Sequence, residues 1–156
     1  MTAGDILSAP LVVEYPFSRT VGPVQSAFLT GLRERMVLGI RTRDGRVVCP
    51  PVGYDPVTGD ELTELVTLGD SGVVTTWSWE PEPRPNQPLD RPFAWALVRL
   101  DRADTAMLHA VDAGTPEAMA TGMRVRARWT EQREGSIRDI ACFEPLDGPP
   151  EREAGR

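Results

Sequence analysis

The sequence is poor in the residues that carry out chemistry. It holds one histidine, His109, and two cysteines, Cys49 and Cys142, in 156 residues. A lone imidazole builds neither a catalytic triad nor a metal site by itself. Two thiols so far apart are too few for a disulfide framework, and a reducing, cytoplasmic setting is the expectation. Nowhere do about eighteen apolar residues follow one another, and no basic stretch precedes an apolar run at the start. Neither a membrane span nor secretion is expected. Positive charge is also short: the net charge is -6 and the pI about 4.8. That balance counts against nucleic acid, whose binding rests on Lys and Arg neutralising phosphates.

What is present is enough apolar material, 40% of residues, for a packed core. The expected organisation is an N-terminal arm over residues 1–19, a helix with a ribbon-like lobe over 20–60, a strand-rich barrel over 61–146 and a disordered tail over 147–156, where Pro, Gly and charge dominate. Within the arm, Leu11, Val12 and Val13 suit an extended segment laid against something else. Thr20, Gly22 and Pro23 open a helix, and Val24, Phe28, Leu32 and Met36 recur four apart to line one stripe. That stripe either covers the sheet of its own chain or is shared with a partner protein.

Residues 41–59 read as a zinc ribbon without its zinc ligands. The Pro50-Pro51 step and the turn glycines Gly45 and Gly59 remain. The positions matching the two ligand pairs hold Arg41, Asp44, Asp55 and Thr58. Arg does not ligate, and two carboxylates with a hydroxyl bind zinc poorly, so no metal and no cofactor is expected here. Two hairpins follow from Asp44-Gly45 and from the turn at 55–59. An Arg41 guanidinium set between the Asp44 and Asp55 carboxylates is the expected substitute for the metal.

From residue 61 the pattern changes to strands. A strand is expected over 62–68, then a turn at Gly69-Asp70-Ser71-Gly72, then a strand with Val73, Thr75, Trp77 and Trp79 on one face. Residues 80–92 hold five prolines and predict a semi-rigid loop. A central strand over 93–100, another over 105–111, a short helix at Thr115-Pro116-Glu117, and two closing strands at 123–129 and 137–143 give the order of an OB barrel. The predicted class is mainly β.

The catalytic motifs dissolve on inspection. The Gly69–Gly72 turn resembles a serine-protease nucleophile loop, but the only histidine follows it and the chain is too short for two barrels. His109 alternates with Met107 and Val111, as a satisfied barrel histidine does. Asp55, Asp60 and Glu61 lack the spacing of a calcium loop. Two surfaces remain as functional candidates. The alternating Arg124, Arg126 and Arg128 suit an acidic partner or the phosphates of coenzyme A, unless nearby Glu131 and Glu134 neutralise a plain outer face. Trp77, Trp79, Phe93 and Trp95 surround the proline-rich loop, where aromatic rings anchor interfaces if the core does not claim them.

The helix ending in Leu32-Arg33-Glu34-Arg35-Met36, the frame from Gly45 to Gly59, and then Arg91-Pro92-Phe93-Ala94-Trp95, Gly122-Met123-Arg124-Val125 and Phe143-Glu144-Pro145 resemble, in that order, a family of small acyl-CoA-associated proteins. These are known as domain of unknown function 35, in which a helix and a rubredoxin-like zinc ribbon precede a five-stranded OB barrel. The likeness runs over about residues 21–146 and departs at the missing cysteine quartet. It implies a non-catalytic subunit in a heteromeric complex with a thiolase-like acyl-CoA enzyme, such as the aldolases of steroid side-chain degradation. On that reading Val24, Phe28, Leu32, Met36, Trp77, Trp79 and Phe93 are the candidates for the partner interface. The alternative is a free-standing acyl-CoA-binding OB module using the three arginines.

Overall fold

A computed structural model describes residues 9–16 and 20–146. The arm at 1–8 and 17–19 and the tail at 147–156 lie outside them.

The chain enters through α1, Gly22–Arg33, with Pro in its first turn. It stops at Arg33 because Arg35 adopts a left-handed conformation, φ 57°. The Met36 N–H then donates to the Gly31 carbonyl at 2.8 Å and the Arg35 N–H to the Leu32 carbonyl at 3.0 Å. This Schellman closure needs Gly31, since a Cβ there would lie 2.8 Å from the Met36 carbonyl oxygen. Met36 is therefore beyond the helix, not on its stripe. Phe28 and Leu32 do lie on the stripe, and both are buried, at 3% and 0% exposure.

The helix packs on β1, Val37–Arg41, the centre of a three-stranded antiparallel sheet. Its neighbours are β2, Val47–Val48, across the Gly45 turn, and β3, Leu65–Leu68. The strand expected over 62–68 as part of the barrel thus pairs with β1 instead, from Leu65 onward.

Five strands then close a barrel in the order β4-β5-β6-β8-β7. They are β4, Ser71–Glu80; β5, Phe93–Leu100; β6, Met107–Val111; β7, Arg124–Trp129; and β8, Ile140–Pro145. All pairings are antiparallel except β6 with β8, which run parallel at Val111 and Phe143. The short helix before β7 is a single 3-10 turn, Pro116–Ala118. Gly72 lets β4 cross close over β5, because a Cβ there would stand 2.5 Å from the Arg99 carbonyl oxygen.

A register shift between Val74 and Thr76 turns β4 over. Before it Gly72 and Val74 are buried; after it Trp77 and Trp79 pack against the core. The single face expected for Val73, Thr75, Trp77 and Trp79 does not exist, since one extra residue in a strand of period two exchanges its faces. One apolar core runs from Phe28, Leu32, Val37 and Val47 to Val98, Val125 and Phe143 in the barrel.

Candidate functional site

The emptied ribbon is closed by hydrogen bonds. Arg41 does not bridge Asp44 and Asp55. Its Nε donates to Glu64 Oε1 at 2.8 Å and its Nη1 to the Gly45 carbonyl. Asp44 is taken by Thr42 and by Arg46, whose Nε lies 2.7 Å from Oδ2. The Thr42 hydroxyl, with Arg46 beside it, holds the Asp44 carboxyl below its usual range. Asp55 is buried and accepts from the Val57 and Thr58 backbone N–H groups at 2.8 and 3.2 Å, an Asx turn around Pro56. The Thr58 hydroxyl pairs with Asp60 at 2.9 Å. These four side chains point to separate partners and do not fit a tetrahedral zinc site. Among the described residues, no group of three or more His, Cys, Asp and Glu is placed to hold a metal ion.

The aromatic residues divide between two sides of the barrel wall. Trp77 and Trp79 lean on the main core. Phe93 is fully buried in a second cluster with Leu89, Ala110 and Cys142, its ring 5.1 Å from Trp95 and nearly perpendicular to it at 73°. Phe93, like Phe28 and Leu32, therefore offers nothing to a partner, because burial within its own chain has consumed its surface. His109 is buried against Phe143, and burial pulls its pKa down.

The arginine stripe is engaged within the chain. Arg124 grips Asp101 with two bonds of 2.6 Å, Arg126 lies 3.8 Å from Asp70, and Arg128 lies between Asp112 and Glu144 at 3.4 and 3.7 Å. The neutralising acids come from neighbouring strands and turns, not from Glu131 and Glu134. A coenzyme A phosphate would have to displace them.

An uncovered apolar surface lies elsewhere. A cavity of about 510 Å³ opens between the start of α1 and the segment leading into β3, lined by Val21, Pro23, Val24, Tyr54, Leu62 and Leu65 among others. At its rim Val21 is 53% and Tyr54 65% exposed. Val57 and the arm residues Leu11, Val12, Val13 and Tyr15 are also exposed. Of the sequence candidates only Val24 lines this cavity. Tyr54 and Leu65 were missed; the available signal was an aromatic ring in the Gly53-Tyr54-Asp55-Pro56 turn, where nothing local needs one.

Residues 65–130 match the family model described as ChsH2, C-terminal OB-fold domain. The matched stretch runs from β3 through β7 and agrees with the OB-fold class of the barrel. Two solved structures share the architecture of this chain. One, titled "Ltp2-ChsH2(DUF35) aldolase", aligns with 82% of this chain and 98% of its own at a TM-score of 0.58 and 18% identity. The other is a DUF35-family protein of unknown function from Sulfolobus solfataricus, aligned over 69% of this chain and 77% of its own at a TM-score of 0.56 and 18% identity. No curated protein matches the sequence. Among the described residues, no helix is long and apolar enough to cross a membrane.

Proposed function

We propose that this chain is a non-catalytic accessory subunit that docks on a thiolase-like acyl-CoA enzyme and stabilises it. The observation that carries the reading is the uncovered apolar surface around Val21, Tyr54 and Leu65, in a chain whose single histidine is buried and whose three β7 arginines are paired with acids. The likeness to the chain of the Ltp2-ChsH2(DUF35) aldolase supports the class of partner. Steroid side-chain degradation is the setting that this partner class suggests, and the cytoplasm its place.

The docking face is the groove at the start of α1 with Val24 in its wall. Phe28 and Leu32 are buried on the same helix in the main core, while Phe93 belongs to the separate cluster with Leu89, Ala110 and Cys142. Met36 is exposed, and Trp77 and Trp79 keep partial exposure.

The test is capture of the affinity-tagged chain from its own cells, followed by mass spectrometry. A thiolase-like protein is expected to co-purify, and Tyr54→Asp or Val21→Asp is expected to release it without unfolding the chain. Recovery of the chain alone, or thioester turnover by the isolated chain, would sink the proposal.

A further inference from the structure

A second cavity, of about 480 Å³, lies on the opposite kind of surface, the outer wall of the barrel. Its floor is Trp95 of β5, Leu108 of β6 and Ile140 at the start of β8. Its sides come from Asn86, Gln87 and Pro88 in the loop joining the first and second barrel strands, and from Thr130, Ile137 and Arg138 in the loop joining the fourth and fifth. In OB barrels the second and third strands with these same two loops form the usual ligand-binding face. Nothing in the docking surface described above uses it.

Both walls are fixed before any ligand arrives. In the proline-rich loop the Arg84 N–H donates to Gln87 Oε1 at 2.8 Å and the Gln87 N–H returns to the Arg84 carbonyl at 3.2 Å. In the other loop the buried Asp139 carboxylate gathers the Glu134, Gly135 and Ser136 N–H groups at 3.0, 2.8 and 3.1 Å. Arg133 ties the same loop to the Arg33 carbonyl at the end of α1. A site with rigid walls loses little entropy on binding.

The lining selects the ligand. Trp95, Leu108, Ile137, Ile140 and Pro88 make it mainly apolar, with Leu108 61% and Ile137 42% exposed while waiting for cover. An oligosaccharide would want more hydrogen-bonding groups, and the acidic balance disfavours an oligonucleotide. One charge stands at the edge: the Arg138 guanidinium has no ion-pair or hydrogen-bond partner among the described residues, unlike the three arginines of β7.

We infer that this groove binds an amphipathic organic carboxylate, its apolar body lying on Trp95, Leu108 and Ile137 and its carboxylate meeting Arg138. The volume falls within the ordinary range of small-molecule sites, about 300–1,000 Å³. The inference stands independently of the partner reading, since it concerns the isolated chain and a different face.

The experiment is an NMR titration of the full-length chain with decanoate, decanol and inorganic phosphate in turn. Decanoate is expected to shift the Trp95 indole N–H and the amides of residues 86–88 and 137–138 saturably, with decanol binding about tenfold more weakly at the same residues. Arg138→Gln is expected to bring decanoate down to the level of decanol, and Leu108→Gln to weaken both. The inference is overturned by the absence of saturable shifts, by shifts confined to the groove at Tyr54, by undiminished decanoate binding in Arg138→Gln, or by phosphate binding as well as decanoate does.

Discussion

Val47 and Asp104 hold each other reciprocally: the Val47 N–H donates to Asp104 Oδ2 at 2.7 Å, and the Asp104 N–H donates to the Val47 carbonyl at 2.8 Å. Two residues on, the Thr105 hydroxyl accepts from the Cys49 N–H at 2.8 Å and donates to the Cys49 carbonyl at 2.9 Å. The turn between β5 and β6 thus continues the ribbon sheet beyond β2 and fixes its edge. In a zinc ribbon the metal holds such hairpins in place. Here the barrel does so, together with the Asp55 turn, and Asp44, Asp55 and Thr58 spend their side chains on local hydrogen bonds.

Asp104→Ala removes a carboxylate acceptor and leaves the Val47 N–H without it. The expected cost is about 2 kcal/mol. Thr105→Val is expected to cost about 1–2 kcal/mol, since both polar groups of Cys49 lose their partner. Urea unfolding measures both, and limited proteolysis should show faster cleavage within residues 42–62 in either variant. Unchanged stability in both variants would mean that the lobe is held by packing alone.

Acid should weaken the fold in two stages. Burial depresses the His109 pKa, so folding favours its neutral form. Its contribution is complete above the unfolded value of about 6.5 and is lost as the pH falls through the lower folded value. Burial alone would raise the Asp139 pKa, but the N–H groups of Glu134, Ser136 and Gly135 outweigh it and bring it down. Its contribution is complete above about pH 4 and is lost as the pH falls through the folded value below that. The urea midpoint is therefore expected to be level at pH 7–8 and to fall in both windows. His109→Leu should remove the upper stage, and Asp139→Ala the lower one, at a cost near neutral pH of about 2 kcal/mol for the lost cap.

Neither thiol should react in the folded chain. Burial pushes Cys49 up to about 12, and burial also raises Cys142 to about 11. At pH 8 both are thiols enclosed by protein, and thiolate is the reactive form. Maleimide labelling followed by mass spectrometry is expected to find no adduct on the native chain and two after unfolding in urea. Rapid modification of Cys142 in native protein would show that the cluster beneath the proline-rich loop opens readily.

Much of the fold was legible in advance because its signals are local. The Asp44-Gly45 turn, the apolar run of Phe93–Leu100 and the alternation of arginines before Trp129 each specify an element within a few residues. The helix was legible at its start, where Gly22 and Pro23 act on their own turn, and misread at its end. There the Schellman closure depends on the Met36 carbonyl passing close to Gly31, which the four-residue spacing of Met36 concealed. The face of β4 was misread for a related reason: a single extra residue at Val74–Thr76 is invisible in a pattern of period two.

The candidate surfaces divide in the same way. Sequence named Phe28, Leu32 and Phe93 because they are large and apolar, but size and polarity say nothing about which neighbour has already covered a side chain. The arginines were recognised as a row, whereas their acids arrive from the turn after β5, the turn before β4 and the ends of β6 and β8. Tyr54 is marked only by its place in a turn, and Leu108 carries no signal in sequence that separates it from core residues.

The sequence by itself determined what this chain lacks and the order of its elements: too few soft ligands for a ribbon metal, one imidazole, and five strands with the turns that separate them. Both depend on residue identity and short-range spacing. Only the tertiary structure decided which apolar and charged side chains remain uncovered, because exposure and pairing are properties of neighbours brought together by barrel closure across tens of residues.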